Sequence, residues 1–159
     1  MVKIKKNIVD IKTSATLAIN ELSQQLEKNG KEIFKFGLGE SPFPIPNVIV
    51  KELKKNAQQK NYINVSGLIE LRDQVAKYHS IKNKNNYTAD NVIIGPGSKE
   101  LIFQTQLVLD CDVLLPSPSW VSYEPQARIL DKKIHWINTE ITSNWHITPK
   151  ELDKGRCNV

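Results

Sequence analysis

Between Asn91 and Tyr123 the chain reads NVIIGPGSKELIFQTQLVLDCDVLLPSPSWVSY, and this stretch constrains the fold more than any other. A short apolar strand breaks at Gly95-Pro96-Gly97, Ser98 opens an amphipathic helix, and a second apolar strand ends in a Pro-Ser-Pro-Ser-Trp turn. The pattern then predicts a helix over 121–130 and a short strand over 133–137, so the order from Asn91 is β-α-β-α-β. That order argues for parallel strands joined by helical crossovers, an α/β fold. A strand, a glycine turn and a helix start are also a common way to hold a phosphate-bearing group. Trp120, just past the second strand, offers a flat surface for a ring.

The segments before Asn91 read as helices and one constrained loop. Residues 1–12 are polar and form an arm. From Ser14 to Asn29, Leu17, Ala18, Leu22 and Leu26 recur at helical spacing, and Gly30 suits the residue after the helix end. Ile33 to Phe36 reads as a short strand. Residues 37–46, GLGESPFPIP, form an extended loop, because each proline removes a donor and fixes φ. A helix over 47–58 carries Val50, Leu53 and Ala57 on one side. A polar break with Tyr62 near its start leads to a helix over 68–79 with Leu71, Val75 and Ala76 inward. Near the end, Thr148 suits an N-cap, Pro149 the first helical position and Glu151 a capping box. The chain stops soon after that helix starts, so truncation is the expectation.

Composition narrows the function classes. A length of 159 residues with 40% hydrophobic and 25% charged residues is that of a single soluble domain with a real core. No apolar run approaches membrane-spanning length, and no h-region follows Lys3, Lys5 and Lys6, so the cytoplasm is the expected location. Cys111 and Cys157 form no disulfide framework, and with His79, His135 and His146 they show no metal-ligand spacing. The net charge of +5 rests on lysines spread over helix faces and on only three arginines, which argues against a nucleic-acid reader.

Gly95-Pro96-Gly97-Ser98-Lys99 has the spacing of neither a P-loop nor a dinucleotide fingerprint. It supplies backbone N–H groups at a helix start, a hydroxyl and a nearby ammonium, which suit a phosphate monoester. Taken alone it reads equally well as an ordinary strand-to-helix turn capped by Ser98. Trp120 alone reads as a packing residue.

In combination, GLGESPFPIP, Tyr62, SGLIELRDQVAKY, DNVIIGPGSKE and PSPSWVSYEPQA resemble the pyridoxal-phosphate-dependent aminotransferases of class I, fold type I. The resemblance covers roughly residues 33–153. It implies an N-terminal portion of such a protein: an incomplete cofactor-binding large domain over 33–159, preceded over 1–32 by an arm and a helix of the small domain. The large domain would be a mainly parallel sheet with helical crossovers, without its downstream strands. By the same resemblance, Gly97, Ser98 and Lys99 sit at the cofactor-phosphate cup and Trp120 stacks on the pyridine ring. Tyr62 reaches across a homodimer interface to the neighbouring subunit's cofactor phosphate, and the backbone of Gly39 approaches the substrate carboxylate.

The implied activity is transfer of an amino group between an amino acid and a 2-oxo acid, with pyridoxal 5'-phosphate as cofactor. No catalytic residue is assigned, because the motifs that carry the Schiff-base lysine, the pyridine aspartate and the carboxylate arginine are not in this sequence. Lys99 matches a phosphate-cup position and is not that lysine. The chain alone is therefore expected to be inactive and poorly stable. The alternative is a non-catalytic module that binds the cofactor or phosphate and pairs with a complementary chain. Where the family favours glycine after the helix that ends at Leu130, this chain has Asp131, which tolerates a left-handed backbone.

Overall fold

The computed structural model describes residues 2–154. Its helices are α1 (Lys6–Val9), α2 (Ala15–Lys28), α3 (Asn47–Asn56), α4 (Ile69–Asn83), α5 (Ser98–Val108), α6 (Tyr123–Ile129) and α7 (Pro149–Lys154). Its strands are β1 (Val113–Ser117) and β2 (Ile134–Asn138), with single 3-10 turns at Ala89–Asn91 and Ile141–Ser143. The chain divides into two compact units, one of Met1–Gly39 with Ile102–Val159 and one of Glu40–Leu101.

In the first unit, β1 and β2 pair in parallel, from Val113 opposite Ile134 to Ser117 opposite Asn138. The crossover between them runs through α6, as the alternating pattern predicts. Leu115 and Ile137 are both buried although they point to opposite faces, since Ile137 is in register with Pro116. Burial on both faces is characteristic of parallel strands. Ala127 of α6 is fully buried. At the C-terminal end of the pair, Thr139 N (3.0 Å) and Oγ1 (2.9 Å) both donate to Ser117 O.

The helix ends in this unit follow local chemistry. α6 stops in a Schellman motif: Lys132 N donates to Ala127 O (3.0 Å) and Asp131 N to Arg128 O (3.1 Å). Asp131 takes the left-handed conformation at φ 55°, as expected of its short polar side chain. α2 ends the same way on Gly30, at φ 78°, with Lys31 N bonded to Leu26 O. Within the polar arm, α1 lets Asn7 Nδ2 donate to Arg128 O (3.1 Å) and Ile129 O (3.0 Å), the terminal carbonyls of α6. The Thr148–Glu151 start forms as predicted, with Thr148 N and Oγ1 on Glu151 Oε2 at 2.6 and 2.8 Å. Gly155 and the residues after it lie outside the described ones.

Two expected strands do not form. Residues 33–36 are irregular, with Phe34 and Phe36 exposed, and residues 92–94 are extended but belong to no sheet. A strand exists only where a second backbone takes its N–H and C=O groups. Among the described residues the one sheet is β1–β2. Leu71, expected inward on α4, is exposed, and Arg72 is buried beside Ala76 instead. Among the described residues no helix is long and apolar enough to cross a membrane.

Candidate functional site

The phosphate-cup candidates lie within the unit Glu40–Leu101, and their position is built from the turn before α4. Asn64 makes that turn: its Oδ1 accepts from Ser66 N (2.9 Å) and its carbonyl from Gly67 N (2.8 Å). Gly67 has φ 99°, and a Cβ there would stand 2.6 Å from Ile94 Cβ, so only glycine fits. Ser66 O then accepts from Ile94 N at 3.0 Å, which anchors the extended segment.

Arg72, one turn into α4, grips the same segment from its other end. Its Nε donates to Val92 O (2.9 Å) and its Nη2 to Ala89 O (2.7 Å). The residue is 8% exposed. Thr88 and Asn91 add a reciprocal capping box around the 3-10 turn, with Thr88 N on Asn91 Oδ1 at 3.0 Å. Downstream, a Cβ on Gly95 would meet Leu101 Cδ2 at 2.8 Å, so the end of the segment packs closely on the first turn of α5.

Gly97 turns the chain into α5 at φ 121°, a conformation L side chains rarely adopt, and a Cβ there would meet nothing within 4 Å. Ser98 is the first helical residue rather than the cap, and Ser98 and Lys99 are both exposed. The first-turn N–H groups of α5 therefore point along the helix axis behind an open glycine. Ser98 and Lys99 belong to the same turn. Glu100 adds one carboxylate to the same turn.

The other candidates are distributed as follows. Tyr62 belongs to the unit Glu40–Leu101, where its ring is fully exposed two residues before the Asn64 turn. Gly39 and Trp120 belong to the other unit. A Cβ on Gly39 would touch nothing, whereas one on Gly37 would meet Ile19 Cγ2 at 3.0 Å. In this loop it is thus Gly37 rather than Gly39 that lies close to another side chain. Trp120 is 41% exposed and stands edge-on to Tyr123, with ring centroids 5.3 Å apart. Among the described residues, no group of three or more His, Cys, Asp or Glu could hold a metal ion.

A profile of the family described as aminotransferase class I and II matches residues 31–155. The chain belongs to this family. The aspartate aminotransferase of Thermotoga maritima is 26% identical over 155 residues, which are 94% of this chain and 41% of that protein. A bifunctional aspartate aminotransferase and glutamate/aspartate-prephenate aminotransferase of Petunia hybrida is 30% identical over 160 residues, covering 96% of this chain and 33% of that protein. The crystal structure of the Thermotoga maritima enzyme superposes with a TM-score of 0.82 at 26% identity, over 95% of this chain and 42% of that one. The aspartate aminotransferase of Thermus thermophilus with maleate gives a TM-score of 0.86 at 24% identity, over 98% of this chain and 42% of that one, a likeness of fold.

The chain thus spans well under half the length of the aminotransferases it matches. Its α/β architecture, with one small parallel sheet, is part of the fold type I scaffold. Members of the aminotransferase family generally use pyridoxal phosphate. Sequence reasoning passed over Gly67 and Arg72. The signal for Arg72 was its place four residues before Ala76, on the stripe that faces inward.

Proposed function

We propose that this chain is the N-terminal portion of a pyridoxal-phosphate-dependent aminotransferase and that it supplies the phosphate-holding half of the cofactor pocket. Residues 1–32 would begin the small domain, and residues 33–159 would form the first part of the cofactor-binding large domain. One observation supports this most: Gly97, in a conformation suited to glycine and with open space where a Cβ would stand, precedes the exposed first turn of α5. The donor set fits a phosphate dianion. Backbone N–H groups, the Ser98 hydroxyl and the Lys99 ammonium all donate, and none of them brings negative charge. Glu100 opposes them, so the net attraction rests on the directed N–H and O–H bonds.

In this reading the indole of Trp120 lies against the cofactor ring, and its 41% exposure leaves surface for that contact. Tyr62 donates its phenol to the phosphate of a second subunit in a homodimer, which its full exposure allows. Gly39, with nothing near where its Cβ would be, admits a substrate carboxylate close to its backbone N–H. When bound, the cofactor supplies an electron-withdrawing ring for exchange of an amino group between an amino acid and a 2-oxo acid. The residues of this chain bind and orient that group. We assign none of its lysines to the Schiff base, so turnover by this chain alone is not expected.

The test is a fluorescence titration of the full chain with pyridoxal phosphate and with pyridoxal. One charge-assisted hydrogen bond to the phosphate is worth about 1.5–3 kcal/mol, so the phosphorylated form should be preferred by at least roughly tenfold to hundredfold. Inorganic phosphate should compete with it. Equal affinity for the two compounds would refute the phosphate seat.

A second reading is a non-catalytic phosphate-holding module completed by another chain. The two-stranded sheet favours it, since β1 and β2 pair only with each other among the described residues. It predicts reversible cofactor binding that persists without any transamination when a complementary chain is added.

A further inference from the structure

Arg72 is an arginine on the inward stripe of α4, buried like Ala76 one turn further on. A buried guanidinium is unfavourable unless its donors are satisfied. Its acidic neighbour does not do this, because Asp90 is 95% exposed and its Oδ1 lies 3.6 Å away. The carbonyls of Ala89 and Val92 do, at 2.7 and 2.9 Å. Ala89 opens the 3-10 turn, where its carbonyl also accepts from Val92 N at 3.1 Å, whereas Val92 lies in the segment that belongs to no sheet, so at Val92 the guanidinium takes the place of a neighbouring strand. The planar fork of arginine spans two acceptors three residues apart, and a lysine ammonium does not.

The contacts continue from there to the cup. Val92 leads to Ile94, which Ser66 O and Gly67 hold. Gly95 then packs on Leu101 in the first turn of α5, and Gly97 and Ser98 lie between them in sequence. We infer that Arg72 is a positioning residue for the phosphate seat: it touches no ligand and sets where the first-turn N–H groups of α5 are aimed. The Ser66–Gly67 grip on Ile94 is its counterpart at the other end of the segment. This inference rests on the phosphate-seat reading above.

The experiment compares the wild-type chain with Arg72→Lys and Arg72→Gln by two readouts. The first is affinity for pyridoxal phosphate and for pyridoxal. The second is amide hydrogen exchange along 92–99 and along β1 and β2. Both variants should lose tenfold or more in affinity for pyridoxal phosphate while affinity for pyridoxal stays within about twofold. Exchange should rise at Val92 and Ile94, whose N–H groups are hydrogen-bonded to Ala89 O and Ser66 O, with β1 and β2 unchanged. Arg72→Lys keeps charge and length, so the inference stays testable if Arg72→Gln unfolds. Unchanged affinity for pyridoxal phosphate with unchanged exchange in Arg72→Lys would overturn the inference, and so would a uniform rise in exchange. A wild-type chain with no preference for the phosphorylated compound would refute the seat itself, while selective loosening at Val92 and Ile94 would still report the grip of Arg72.

Discussion

The β1–α6–β2 layer and the lead into α5 are both built around short extended segments, yet they are held by different means. β1 and β2 satisfy each other's backbone groups through a parallel ladder, and buried Leu115, Ala127 and Ile137 add apolar contact. The segment over 92–95 belongs to no sheet and is held by a guanidinium, two backbone hydrogen bonds and two tight glycine contacts. A ladder distributes its hold over many equivalent bonds. The lead concentrates it in Arg72 and Gly67, so single substitutions there should act locally and strongly on the turn that follows.

The largest expected effect belongs to the ladder-held layer. Leu115→Ala removes a buried side chain and should cost about 2–5 kcal/mol in urea unfolding. A cost below about 1 kcal/mol would mean that this layer is not the apolar core of its unit. Gly67→Ala combines a left-handed backbone with a 2.6 Å approach to Ile94 and should cost about 1–3 kcal/mol. A neutral result would break the distinction drawn here, because it would show the lead to be adaptable. Asn7→Ala, which takes two hydrogen bonds from the end of α6, should cost about 1 kcal/mol by the same measurement. Smallest is Asp112→Asn, at roughly 1 kcal/mol or less. Its bond to His135 Nε2 is short, at 2.7 Å, but both side chains are about a quarter to a third exposed.

What could be read in the sequence follows the same division. The ends of α2 and α6 and the start of α7 were legible, because Gly30, Asp131 and the Thr148–Glu151 pair act on their immediate neighbours. So was the β1–α6–β2 crossover, since two apolar strands around a helix have one common arrangement. Residues 33–36 and 92–94 were misread as strands, because their apolar pattern describes what a second backbone would cover and says nothing of whether one is there. Arg72 was missed for a related reason. Its partners are backbone carbonyls 17 and 20 residues away, which no periodicity records. In the candidate site, the run Gly97–Ser98–Lys99 shows donors at a helix start by its own residues but reads equally well as an ordinary turn, so its proposed role, like those of Tyr62, Gly39 and Trp120, comes from the family resemblance.

In the proposed function the first turn of α5 seats the phosphate of pyridoxal phosphate. An amide-resolved NMR titration of the chain with this compound tests it most directly. The largest shifts should fall on the backbone amides of Gly97, Ser98 and Lys99, and pyridoxal without its phosphate should leave them nearly unmoved. Shifts centred elsewhere, or equal shifts with both compounds, would contradict it.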